Sequence, residues 1–96
     1  MKNKFTISQR NAIVEEHLWC IETVMKEHRA HIRAAKLDTD DVYQQLALRL
    51  IRAVMSYDPA KEDLEQHIFS QLRAELQRTT RSNVISLDVY RMRAAA

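Results

Sequence analysis

The stretch Asp41–Pro59, DVYQQLALRLIRAVMSYDP, decides how the rest of the chain is read. A helix-start signal precedes it. Asp38 or Thr39 can accept a hydrogen bond from an early backbone N–H, and Asp40 and Asp41 suit the positive end of the helix dipole. Asp58-Pro59 closes the stretch, because the residue before a proline is pushed out of the helical region. In between, Tyr43, Leu46, Leu50, Ala53 or Val54, and Tyr57 recur at helical spacing, and Leu48 and Ile51 widen the stripe. A helix this apolar around its girth is expected at the centre of the molecule, packed by neighbours on more than one side.

Upstream, Thr6-Ile7-Ser8-Gln9 has the form of a capping box and predicts a helix from Ile7 to about Ala35, with fraying or a bend around His31. Ile7, Val14, Leu18, Ile21, Met25, His28 and Ile32 mark its buried stripe. Trp19 sits beside that stripe and is read as the edge of the core in preference to an exposed contact. Downstream, Leu64, Ile68, Leu72 and Leu76 form an i, i+4 ladder that predicts a third helix, from about Lys61 or Asp63 to Thr79. Thr79–Asn83 is a second polar break. Beyond it the chain is expected either to form a short helix capped by Ser86 or to remain a flexible tail. The organisation is therefore a helical domain over residues 1–83 and a tail over 84–96.

Composition agrees with an all-α fold, a bundle of three main helices. The 96 residues include no glycine and one proline, so tight hairpins and phosphate-cradling loops lack their usual residue. Good helix formers dominate instead. The single Cys20 excludes an internal disulfide and fits a reducing compartment. With no signal-like apolar run and no stretch of membrane-spanning length, the expected location is cytoplasmic. Charge is unevenly spread. Seven acids face three bases between Asp38 and Glu65, whereas five arginines face two acids between Arg73 and Arg93. An acidic middle beside a basic end suggests two differently charged partner surfaces.

Enzyme and metal chemistry find little footing. His17 and Cys20 lie one helical turn apart, as do His28 and His31, but the pairs are about 16 Å apart along one helix and cannot share an ion within a chain. No serine or cysteine stands beside a His–acid pair, and no Gly-rich phosphate loop exists. No cofactor is expected.

At Asp41 the sequence resembles region 2 of bacterial RNA polymerase sigma factors, whose pattern reads approximately D-L-x-Q-E-G-x-x-G-L-x-R-A-V-x-x-F-D-P. Asp41, Gln44, Leu50, Arg52, Ala53, Val54, Asp58 and Pro59 match outright, and Val42, Leu48, Ile51 and Tyr57 are conservative replacements. Ala12–Leu18 is similar to the family's opening L-V-E-E-x-L helix, and Leu72–Leu76 to the I-R-x-x-I run of its promoter-reading helix. The resemblance spans about residues 11 to 80.

The resemblance implies a helical domain with two jobs. Asp41, Gln44, Gln45, Arg49 and Arg52 become candidates for docking on the clamp helices of the largest subunit of core RNA polymerase. His67, Phe69, Arg73, Gln77, Arg78 and Arg81 become candidates for contact with promoter DNA near the minus-ten element, arginines for phosphate and Gln77 for a base edge. A second protein would carry the upstream promoter-binding domain. Departures divide the expectation. Leu46 and Arg49 replace the usual glycines and Gln45 an acid. Only Phe69 and His67 offer rings where the family places several, and Glu65 would repel phosphate. Polymerase binding is thus the firmer expectation and strand opening the weaker. The alternatives are a regulator that occupies the clamp without reading DNA, and a helical module for partner binding or dimerisation.

Overall fold

Thr6 and Gln9 form the reciprocal box that opens α1 (Ile7–Glu16). The Gln9 N–H donates to Thr6 Oγ1 at 3.1 Å and the Thr6 N–H to Gln9 Oε1 at 2.9 Å. The structure is a computed structural model that describes residues 5–95, with side chains described as far as residue 81. The single helix expected over 7–35 is instead three: α1, α2 (Leu18–Glu27) and α3 (Arg29–Ala34), separated by one residue each at His17 and His28. Each ring reaches back one turn. His17 Nδ1 lies 2.7 Å from the Ile13 carbonyl, and His28 Nδ1 lies 2.9 Å from that of Val24. A carbonyl oxygen can only accept, so Nδ1 carries the hydrogen in both rings. Side-chain capture of an i−4 carbonyl competes with the backbone ladder. At His17 the backbone N–H bonds Val14, three residues back, instead.

The breaks change which residues go inside. Cys20, Ile21, Val24 and Ile32 are buried, whereas Val14, Leu18, Met25 and His28 are half-buried and Ile7 is exposed. The bend expected at His31 sits at His28. α3 then ends in a Schellman motif. The Lys36 N–H donates to the Arg33 carbonyl and the Leu37 N–H to that of Ile32, at 3.1 and 3.2 Å. Lys36 takes φ 55° there, a left-handed position that glycine usually fills and that costs another residue about 1–2 kcal/mol.

α4 (Thr39–Ser56) starts where the sequence predicts, with Asp38 Oδ1 accepting from the Asp40 N–H at 2.8 Å. It stops at Tyr57, extended just before Asp58-Pro59. The helix packs on α1, α2 and α5, and it buries Val42, Leu46, Leu50, Ala53 and Val54. One side nevertheless stays bare. Leu48 is 60% and Ile51 42% exposed, against the expectation that they widen the buried stripe. Helical periodicity gives them an apolar neighbourhood, but among the described residues no element buries them.

α5 (Leu64–Ala95) is capped by Asp63, whose Oδ2 accepts from the Glu65 N–H at 3.2 Å. Ile68, Leu72 and Leu76 of the ladder are buried against Leu46, Leu50 and Ile21 in one core. The break expected over 79–83 is absent, and the helix runs through it. The Thr79 and Thr80 hydroxyls donate back to the Glu75 and Leu76 carbonyls at 2.9 and 3.0 Å, so they join the helix they were expected to end. Neither glycine nor proline interrupts the segment. The result is an all-α bundle built on α2, α4 and α5, with no strand among the described residues.

Candidate functional site

The bare side of α4 gathers most of the predicted docking residues. Asp41, Gln44, Gln45, Leu48, Ile51, Arg52 and Met55 follow steps of three and four, so they share one face, opposite the buried one. All seven are exposed. Leu48, Ile51 and Met55 form an apolar row one turn apart, with amides at its start and the Arg52 guanidinium along its flank. Arg52 has no side-chain partner among the described residues. Gln45 is tied to α5 at one end only, where the Thr79 hydroxyl donates to its Oε1 at 3.3 Å. A contiguous exposed row of large apolar side chains is a mark of an interaction surface.

Arg49 departs from this group. Half-buried, it turns towards α5, where its guanidinium donates to Gln71 Oε1 and its Nε–H is buried without a partner among the described residues. It ties α4 to α5 and offers little to a docking partner.

α5 treats its predicted residues unequally. Phe69, Arg73, Gln77 and Arg81 lie on one face at steps of four. The Arg73 guanidinium stands 5.0 Å from the Phe69 ring centre and also forms a two-pronged bond to Glu27 of α2, at 3.2 and 3.1 Å. That hydrogen-bonded arginine holds the Glu27 carboxyl below its ordinary range. Arg78 points to a different flank and donates to Glu75 Oε2 at 2.7 Å.

His67 is a correction. The ring is buried, not presented to DNA. Its Nε2–H donates to the Ala53 carbonyl at 3.0 Å, and Nδ1 lies 2.8 Å from Glu62 Oε1. Ala53 is among the last four residues of α4, whose carbonyls lack partners within that helix. His67 therefore caps α4 from α5.

Trp19 supplies the surface ring that His67 does not. Expected at the core edge, it is 47% exposed and meets Phe69 edge-on, with ring centres 5.6 Å apart and planes at 69°. Its position next to the buried stripe was legible, but its pairing across to α5 was not. The aromatic and cationic cluster at the surface is thus exposed Trp19 and Arg73 with half-buried Phe69, beside a shallow depression of about 430 Å³ whose rim also carries Asp63 and Glu65. Those two carboxylates oppose phosphate at that end.

Among the described residues, no three His, Cys, Asp or Glu side chains gather to hold a metal ion, and no helix is long and apolar enough to cross a membrane. Burial, with a smaller contribution from the Glu65 charge, pushes the Cys20 thiol up to about 11, which leaves it a core residue of low nucleophilicity. In comparisons with protein-family models, curated proteins and solved structures, nothing matches the chain.

Proposed function

We propose that the chain is a sigma region 2-like transcription protein. It docks on the clamp helices of core RNA polymerase through the outer face of α4. It contacts promoter DNA near the minus-ten element through Trp19, Phe69, Arg73, Gln77 and Arg81, and a separate protein supplies the upstream promoter contacts. The reading rests on the residues themselves, since no detected relative carries it. The observation in its favour is the exposed face of α4, where Asp41, Gln44, Gln45 and Arg52 surround the large apolar side chains of Leu48 and Ile51. Apolar side chains give such a face area to bury, while amides and a guanidinium offer directional bonds to a charged coiled coil.

The test is retention of core polymerase by the tagged protein. Gln44→Ala with Arg52→Ala should abolish it while leaving the fold unchanged by circular dichroism. Unaltered retention would sink the docking assignment.

A second reading has its own support. Arg73 and Arg78 already pair with Glu27 and Glu75, so part of the positive charge meant for DNA is neutralised within the chain. On that reading the protein occupies the clamp without reading DNA. Run-off transcription separates the two, activation pointing to the sigma-like role and uniform repression to the clamp occupier.

A further inference from the structure

A second concave surface lies away from both faces discussed above. Tyr43 stands about 200° around α4 from Asp41, at about 100° per residue. There α2, α3 and the start of α4 enclose a groove of about 650 Å³. Its floor is apolar: half-buried Met25, Leu37 and Tyr43 over buried Ile32. The Schellman turn at Lys36 shapes one end by folding Leu37 back beside Ile32, whose carbonyl accepts from the Leu37 N–H.

One wall is basic. Lys26, Arg29 and Arg33 follow at steps of three and four along α2 and α3 and line the groove. None has a side-chain hydrogen bond or ion pair among the described residues. From Lys26 to Arg33 the wall runs about 10 Å, or two helical turns. Glu22 and Asp40 also line the groove.

We propose that this groove binds an acidic amphipathic helix of a partner protein. An isolated helix is about 10 Å wide, so it lies across the groove and sends only its apolar side chains to the floor. Acids one and two turns apart on its flank meet Lys26, Arg29 and Arg33. A nucleic-acid backbone fits less well, because it has nothing to bury on Met25, Leu37 and Tyr43, whereas the helix can set its acids beside Lys26, Arg29 and Arg33 and keep them clear of Glu22 and Asp40. Recognition of this kind uses helical spacing for register and charge for choice of partner. It does not depend on the polymerase reading, whose residues lie on the other side of α4.

The test uses a fluorescein-labelled synthetic peptide of about 16 residues, long enough to form a helix on binding, with leucines at helical spacing and glutamates elsewhere. Two controls accompany it: the same peptide with lysines for glutamates, and a scramble that destroys the apolar stripe. Fluorescence anisotropy with the full chain should show saturable binding of the acidic peptide, and at least about tenfold weaker binding of both controls. Arg29→Glu with Arg33→Glu should weaken the acidic peptide about tenfold or more. These two arginines are exposed, so circular dichroism and melting should stay unchanged. Arg78→Glu, on α5, should leave binding as it was. Equal binding of the lysine peptide or the scramble would overturn the proposal. So would full binding by the folded double variant, or displacement of the peptide by short duplex DNA in preference to unlabelled acidic peptide.

Discussion

The outer faces of α4 and α5 lie side by side in sequence and in space, yet they satisfy their side chains in opposite ways. On α4 Leu48 and Ile51 are exposed, and Arg52 has no side-chain partner among the described residues. On α5 the groups that look most ready for a ligand are already engaged: Phe69 by Trp19 and Arg73, Arg73 by Glu27, Arg78 by Glu75. A partner of α4 gains apolar burial on Leu48 and Ile51 and meets one cross-helix bond, from Thr79 to Gln45. A partner of α5 must first compete with contacts inside the chain. The difference makes α4 the stronger candidate for tight docking and α5 the stronger candidate for a contact made only once docking has raised the local concentration.

The largest expected effect separates the two sides of α4. Leu50→Ala empties a fully buried position and should cost about 3 kcal/mol in urea unfolding. Leu48→Ala, on the outer face, should stay within about 0.5 kcal/mol. Similar losses for both would mean that the outer face is covered, and the contrast would collapse.

A smaller effect separates the two histidine and aromatic roles on α5. His67→Leu removes the cap on the Ala53 carbonyl and should cost about 1–2 kcal/mol, with no change in DNA retention by a polymerase complex. Phe69→Ala with Trp19→Ala should do the reverse in DNA retention. If His67→Leu left stability alone and weakened DNA retention, the burial assigned to it would be wrong.

The smallest effect concerns the Glu27–Arg73 pair. The folded Glu27 carboxyl is held below its ordinary value, so its contribution is present above about pH 4.5 and fades as the pH falls through the depressed value. Glu27→Gln should flatten that part of the acid limb of a stability–pH curve. It also frees Arg73, so DNA retention should rise. A fall would show that the pair positions Arg73 instead of occupying it.

Much of this architecture is legible in the residues. The Thr6–Gln9 box, the Asp38 cap, the Asp58-Pro59 stop and the Ile68–Leu72–Leu76 ladder act locally, through neighbours a few positions away, and each stands where its pattern predicts. What escaped the sequence depends on who covers whom. Periodicity finds an apolar side on α4 but cannot tell that neighbours cover only part of it, so it places Leu48 and Ile51 inward where the fold leaves them exposed. The exchange between His67 and Trp19 is set by the packing of α2 and α4 against α5, a long-range matter. At His17 the ring nitrogen takes the Ile13 carbonyl and the backbone N–H moves to Val14, a competition that helix propensity does not register, whereas at His28 ring and backbone N–H both reach Val24. Through Thr79–Asn83 the helix continues, with no glycine or proline to end it, and the Thr79 and Thr80 hydroxyls bond back to carbonyls of the same helix.

The central claim is that the outer face of α4 docks on polymerase, and a photo-cross-linking amino acid placed at Leu48 addresses it most directly. Irradiation with core enzyme should join the chain to the largest subunit at its clamp helices, and the same probe at Lys36 should give no such product. A cross-link from Lys36 with none from Leu48 would contradict the account.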